Sequence, residues 1–120
     1  VPSDLLKRPL IQSTVNLVQW PAWFASRNLI GMPERFAFRF DRASMSLEAA
    51  VQGLGIALES DRLASQHIEA GRLRPVFHPA WSLAIKAHFM VYPERHARRV
   101  EVARFVAWIK EQVGGAESVV

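Results

Sequence analysis

Cysteine is absent from this 120-residue chain, which excludes a disulfide framework and thiolate metal sites and fits a reducing, cytoplasmic setting. No apolar run approaches the roughly 18 residues that a membrane-spanning helix needs. The opening Val1-Pro2-Ser3-Asp4 lacks the basic flank and apolar stretch of a signal peptide. An initiator Met is also missing, so the sequence is expected to be a piece of something longer. Internal repeats and low-complexity linkers are absent as well. Acidic residues are in the minority, 11 against 15 basic ones, for a net charge of +4. Twelve of the fifteen are Arg, a side chain suited to paired or anion-contacting roles as readily as to a solvated surface. What remains is a globular balance, half apolar and 22% charged, in a chain long enough to bury roughly two-thirds of its unfolded surface.

The apolar spacing predicts alternating strands and helices. Ser3 opens a short turn through Lys7, and residues 9–15 read as a strand. Pro21 suits the first turn of a helix reaching about Asn28. Phe36, Phe38 and Phe40 alternate with Arg35, Ala37 and Arg39, a two-residue strand period. Ser44 or Ser46 then opens a helix through Leu47, Ala50, Val51 and Leu54, ended by Gly53 and Gly55. Residues 55–58 form a short buried strand, and Ser60 caps a helix closed by Gly71. Residues 73–77 read as an extended edge segment carrying Pro75. A loop over 78–86 leads to a strand at 87–92 and a last helix over 95–113, with a mobile tail beyond. The expectation is an α/β layered fold with a largely parallel sheet.

In such sheets ligands gather beyond the carboxyl ends of the strands. Two junctions qualify, Ser13-Thr14-Val15-Asn16 through Trp20 and Asp41-Arg42-Ala43-Ser44-Met45-Ser46. Arg42 is suited to hold a carboxylate by paired hydrogen bonds. Two readings of the second junction stand, a ligand site or Ser44 and Ser46 capping a helix while Arg42 pairs with Asp41 or solvent. Trp20 and Trp23 are core anchors or pocket walls. His67, His78, His88 and His96 show no metal-ligand spacing, and no nucleophile elbow, phosphate loop or dinucleotide fingerprint occurs. Glu48, Glu59 and Glu69 are read as spaced along helices, which gives no catalytic carboxylate pair. An enzyme is not expected, nor is any cofactor or metal. The Arg95-His96-Ala97-Arg98-Arg99 stretch reads as a solvated helix face rather than a nucleic-acid contact.

Several stretches together resemble one family. Residues 40–58, Phe-Asp-Arg-Ala-Ser-Met-Ser-Leu-Glu-Ala-Ala-Val-Gln-Gly-Leu-Gly-Ile-Ala-Leu, are similar to the co-inducer-binding half of LysR-type transcriptional regulators. Gly71-Arg-Leu-Arg-Pro-Val-Phe77, His88-Phe-Met-Val-Tyr-Pro93 and a final helix with Trp108 follow in the family's order. Upstream, Pro9-Leu-Ile11 and Trp20-Pro-Ala-Trp-Phe24 look like the subgroup of the glycine-cleavage activator.

The resemblance implies a periplasmic-binding-protein-like, three-layer α/β subdomain at 1–83. Residues 84–113 would supply a returning strand and C-terminal helix from an incomplete second subdomain, and 114–120 a flexible tail. It implies a small-molecule effector, carboxylate or amino-acid-like, at Ser13, Thr14, Asn16, Arg42, Ser44 and Met45, beside which Trp20 is the candidate pocket wall. DNA would be contacted only through an N-terminal domain outside this chain. Effector domains of this family pair antiparallel, with the helix near Trp20–Asn28 expected at the interface. Val102, Phe105, Val106 and Ile109 would then be exposed unless another chain covers them. The alternative is a stand-alone solute-binding module of periplasmic type.

Overall fold

The computed structural model describes residues 1–33, 35–86 and 89–113. By contacts the chain divides into two units, Val1–Leu83 and Ala84–Val120.

The first unit is built on β1 (Leu10–Ser13), all four of whose residues are buried. β2 (Phe38–Phe40) and β3 (Ile56–Ala57) flank it in the order β2–β1–β3, and both pairings are parallel. Ile11 stands opposite Phe38 on one side and Ala57 on the other. Parallel neighbours require crossovers, supplied here by α1 (Trp20–Ser26) and α2 (Ala43–Val51). α3 (Asp61–Glu69) follows β3 and packs on α2.

Side chains alternate across β1, so its two faces receive different partners. Leu10 joins Leu5, Trp20, Trp23 and Phe24 in the main core cluster. Trp20 stacks on Phe24 at 5.6 Å between ring centroids, and Trp23 meets both rings edge-on. The buried Trp20 Nε1–H donates to the Ile11 carbonyl at 2.8 Å, as a desolvated indole must find a partner. The opposite face, carrying Ile11 and Ser13, is covered by α2 through Ser46, Leu47 and Ala49. Helix, sheet and helix thus form three layers.

Local chemistry sets the helix limits. Pro21 lies in the first turn of α1, and the Ser60 hydroxyl accepts the Arg62 N–H at 3.2 Å to cap α3. Gly53 and Gly71 follow α2 and α3 at φ +75° and +70°, conformations that a Cβ disfavours. Gly55 does something else. A Cβ there would lie 2.7 Å from the Pro9 carbonyl oxygen and 3.1 Å from Ile11 Cγ1, so it lets β3 close on β1 rather than stopping a helix.

Several expected elements differ. Phe36 falls outside β2, and Phe38 is 39% exposed because β2 is an edge strand with one neighbour. Phe38 and Phe40 stack on each other at 6.1 Å, while the Arg39 guanidinium lies over Phe36. Residues 73–77 form no strand; Pro75 has no N–H to give a ladder, and Phe77 instead stacks on Trp23 at 5.9 Å. Within the expected 78–86 loop, a 3₁₀ turn at Pro79–Trp81 is tied to α1. The Trp81 carbonyl accepts from Arg27 Nη2 at 2.6 Å and from Trp23 Nε1 at 3.3 Å.

In the second unit, residues 89–92 pair with no strand, and the expected residues 87 and 88 lie outside the described ones, as does the 114–120 tail. α4 (Val100–Gln112) starts later than expected, after a separate 3₁₀ turn at Glu94–His96. Arg95, Arg98 and Arg99 cluster at the end where the helix dipole opposes positive charge. Val102, Val106 and Ile109 are half-buried rather than bare, while Phe105 and Trp108 are exposed.

Replacing Gly55 by Ala should destabilise the fold by about 1–3 kcal/mol, the usual cost of overpacking. Urea unfolding reads this directly, and an unchanged midpoint would show that β3 need not approach β1 so closely.

Candidate functional site

Because the three strands run parallel, their carboxyl ends open on one side and the loops leaving them meet there. The loop after β1 is fixed to both neighbours. Thr14 donates its backbone N–H to the Phe40 carbonyl at 2.9 Å and its hydroxyl to the same oxygen at 3.2 Å, which ties it to the end of β2. The Asn16 side-chain amide donates to the Leu58 carbonyl and, at 3.1 Å, to Glu59 Oε2, which ties it to the end of β3. Gln19 steadies the same loop, accepting from Gln12 Nε2 at 2.7 Å and donating to the Thr14 carbonyl at 3.3 Å.

Behind this rim sits a polar group that the main chain does not satisfy. Ser13 and Ser46 are buried, at 3% and 0% exposure, and neither hydroxyl has a hydrogen-bond partner among the described residues. Glu59 is half-buried beside them, with its Oε1 also unpartnered. Burial pushes its carboxyl above the ordinary value near 4.5, and the nearby Ser46, Ser13 and Asn16 side chains pull back part of the rise. The two hydroxyls stand close enough to act on the carboxyl without closing a hydrogen bond to it. Among the described residues, no cation forms an ion pair with it.

The other predicted positions divide. Arg42 is the N-cap of α2, with its carbonyl accepting the N–H groups of Met45 at 3.1 Å and Ser46 at 3.2 Å. Its exposed guanidinium forms no ion pair with any described residue. Ser44 and Met45 are exposed on the first turn of α2. No side chain caps that helix, so the capping reading of Ser44 and Ser46 does not hold. Trp20 is 2% exposed and lies in the core behind β1 with its N–H satisfied.

Glu59, which the sequence groups with glutamates spaced along helices, lies instead in the loop before α3. The available signal was its place, immediately after a short apolar strand and before the Ser60 cap. Two concave regions lie elsewhere. One, of about 330 Å³, is formed by Met90, Val91, Tyr92, Val102, Phe105 and Val106 with Glu101. The other, of about 260 Å³, is beside Leu5, Arg8 and Phe77. Among the described residues, no three His, Asp or Glu side chains gather to hold a metal ion, and no helix is long and apolar enough to cross a membrane.

The model of the LysR substrate binding domain matches residues 1–114. The chain belongs to that family. It is 38% identical over 112 residues to an uncharacterized HTH-type transcriptional regulator, y4mQ, of Sinorhizobium fredii, covering 92% of this chain and 37% of that protein. It is 34% identical over 113 residues to the HTH-type transcriptional regulator PerR of Escherichia coli, covering 93% of this chain and 38% of the relative. The glycine cleavage system transcriptional activator of E. coli is 29% identical over 108 residues, 90% of this chain and 35% of the relative. No solved structure matches. The chain therefore spans a little over a third of the length of these relatives, and it corresponds to part of a LysR domain with the periplasmic-binding-protein-like α/β architecture. A substrate-binding domain of transcriptional regulators is a binding module rather than a catalyst.

A raised carboxyl pKa has a sign that stability can test. The folded chain keeps the Glu59 proton to higher pH than the unfolded one, so this stabilisation is complete below the unfolded pKa and is lost as pH rises through the folded one. Glu59→Gln should therefore melt higher than the parent at neutral pH, with the gap closing in acid below the ordinary glutamate range. Melting curves across that range that run parallel would contradict the buried, uncompensated carboxyl.

Proposed function

We propose that this chain is the effector-sensing part of a LysR-type transcriptional regulator, working in the cytoplasm and binding a small anionic metabolite. The supporting observation is the meeting of three loops at the strand carboxyl ends. There, among the described residues, the Ser13 and Ser46 hydroxyls have no hydrogen-bond partner and Arg42 forms no ion pair. In this reading Ser13, Thr14, Asn16, Ser44 and Met45 contact the effector, Arg42 holds its carboxylate, and Trp20 supports β1 from behind. Residues 1–83 act as the second effector-binding subdomain, and 84–113 as the closing segment of the first. DNA contact belongs to a domain outside this chain, and effector binding shifts the population of that larger molecule between conformations.

The same reading includes self-association. α4 presents Phe105 and Trp108 at 56% and 52% exposure, side by side with ring centroids 5.8 Å apart. Together with the apolar concavity formed by Met90, Val91, Val102 and Val106, this is a face that a second copy of the chain would cover. The exposed small residues of α1, Pro21, Ala22 and Ala25, offer a further flat contact.

Two measurements test the proposal. Arg42→Ala should weaken an acidic effector roughly ten- to hundredfold, the equivalent of a charged hydrogen bond worth about 1.5–3 kcal/mol. Titrations of amino acids and aromatic acids followed by tryptophan fluorescence read this, and unchanged affinity removes Arg42 from the site. Sedimentation should show association that Phe105→Glu weakens; a compact monomer at every concentration sinks the self-association.

A further inference from the structure

The most unusual group in the first unit is a carboxylate without a counter-charge. Glu59 is half-buried, and the side chains acting on it from β1, the following loop and α2 are those of Ser13, Asn16 and Ser46. None of the three is ionisable. Removing a carboxylate from water without a partner is costly, and here the cost recurs at the rim where the effector is proposed to bind. Three oxygens from three separate elements lack partners there: Ser13 Oγ on β1, Ser46 Oγ on α2 and Glu59 Oε1 before α3. The one partner that Glu59 has is the neutral Asn16 amide, 3.1 Å from Oε2.

These features select the missing chemistry. A second acid would be repelled, and a hydroxyl would satisfy hydrogen bonds but leave the charge. A protonated amine brings both a positive charge and up to three N–H donors, matching a carboxylate oxygen and two serine hydroxyls that close no hydrogen bond among the described residues. It would also outcompete the neutral Asn16 N–H at Oε2, since charge-assisted hydrogen bonds are about twice as strong. Resting on the effector site proposed above, we infer that Glu59, supported by Ser13 and Ser46, reads an ammonium group. The effector then carries an amine as well as the acid held by Arg42. Loss of the Asn16–Glu59 contact would leave the loop after β1 tied to the end of β3 by the Asn16–Leu58 bond alone, so the amine would be sensed as well as bound.

The test uses the intact protein and matched probes, the common amino acids and their N-acetyl derivatives, with succinate and benzoate as amine-free acids. Acetylation removes the ammonium charge and keeps the carboxylate. At least one free amino acid should bind by calorimetry, with its N-acetyl form at least tenfold weaker. Glu59→Gln, whose amide oxygen still accepts from Asn16, should abolish that difference, and Glu59→Asp should retain a preference for the free amine. Equal binding of free and acetylated forms, a preference surviving in Glu59→Gln, or no binding by any free amine overturns the inference. If amine-free acids bind in an Arg42-dependent manner, the effector site stands while the ammonium reading falls. If bound amines are indifferent to Ser13, Arg42 and Glu59 alike, both fall.

Discussion

β1 is the strand on which the first unit depends, because it has a neighbour on each edge and a covered face on each side. Four buried residues in succession leave no side of it to solvent. One face is committed to the Trp20, Trp23 and Phe24 cluster and the other to α2. A parallel strand in this position can be entered and left only through its ends. Its amino end is closed by Pro9, whose carbonyl accepts the Ile56 N–H at 2.9 Å. Its carboxyl end is where the chain must turn out, and where main-chain pairing gives way to side-chain bonds.

That transition explains the polar character of the site. Up to Ser13 the sheet satisfies the main chain of β1; beyond it, Thr14 and Asn16 take over with bonds to the ends of β2 and β3. These bonds position the rim without filling the space behind it. A core optimised only for stability would place apolar groups at Ser13, Ser46 and Glu59, since unsatisfied buried polar atoms cost about 1–3 kcal/mol each. Retaining them there is the pattern expected of a site that gives up stability for binding.

The sequence made much of this legible because periodicity and end signals agreed. Pro21, Ser60 and the glycines located the helices that separate the parallel strands, and the order of elements placed Ser13, Thr14, Asn16 and Arg42 at strand ends. Failures came where tertiary context outweighed pattern. The Phe36–Phe40 alternation reads as one strand, but only Phe38–Phe40 pairs, and on that edge the Phe38 and Phe40 rings stack on one another. Pro75 is compatible with an edge segment at 73–77, but the segment joins no strand and Phe77 stacks on Trp23 instead. Glu59 was missed because a carboxylate between two elements carries no periodic signal. Only the packing of Ser13 and Ser46 around it gives it meaning.

The arginine surplus acquires a different meaning once individual positions are compared. Among the described residues no arginine forms an ion pair, so the excess does not serve a network of salt bridges. Arg27 lies over Trp81 at 5.2 Å and donates to its carbonyl, fastening the 79–81 turn to α1. Arg39 covers Phe36 at 5.3 Å. Both use the guanidinium as a flat surface on an aromatic ring, a role that lysine fills poorly. Arg95, Arg98 and Arg99 precede α4, where their charge opposes the dipole and delays the helix. Arg42, like Arg95, Arg98 and Arg99, has neither a ring nor a carboxylate against it among the described residues, but it alone of these stands at a strand carboxyl end. A net charge of +4 is therefore in part a sum of local roles. In the effector site proposed above, Arg42 and Glu59 carry opposite charges and neither forms an ion pair among the described residues, which is why the proposed ligand carries both charges.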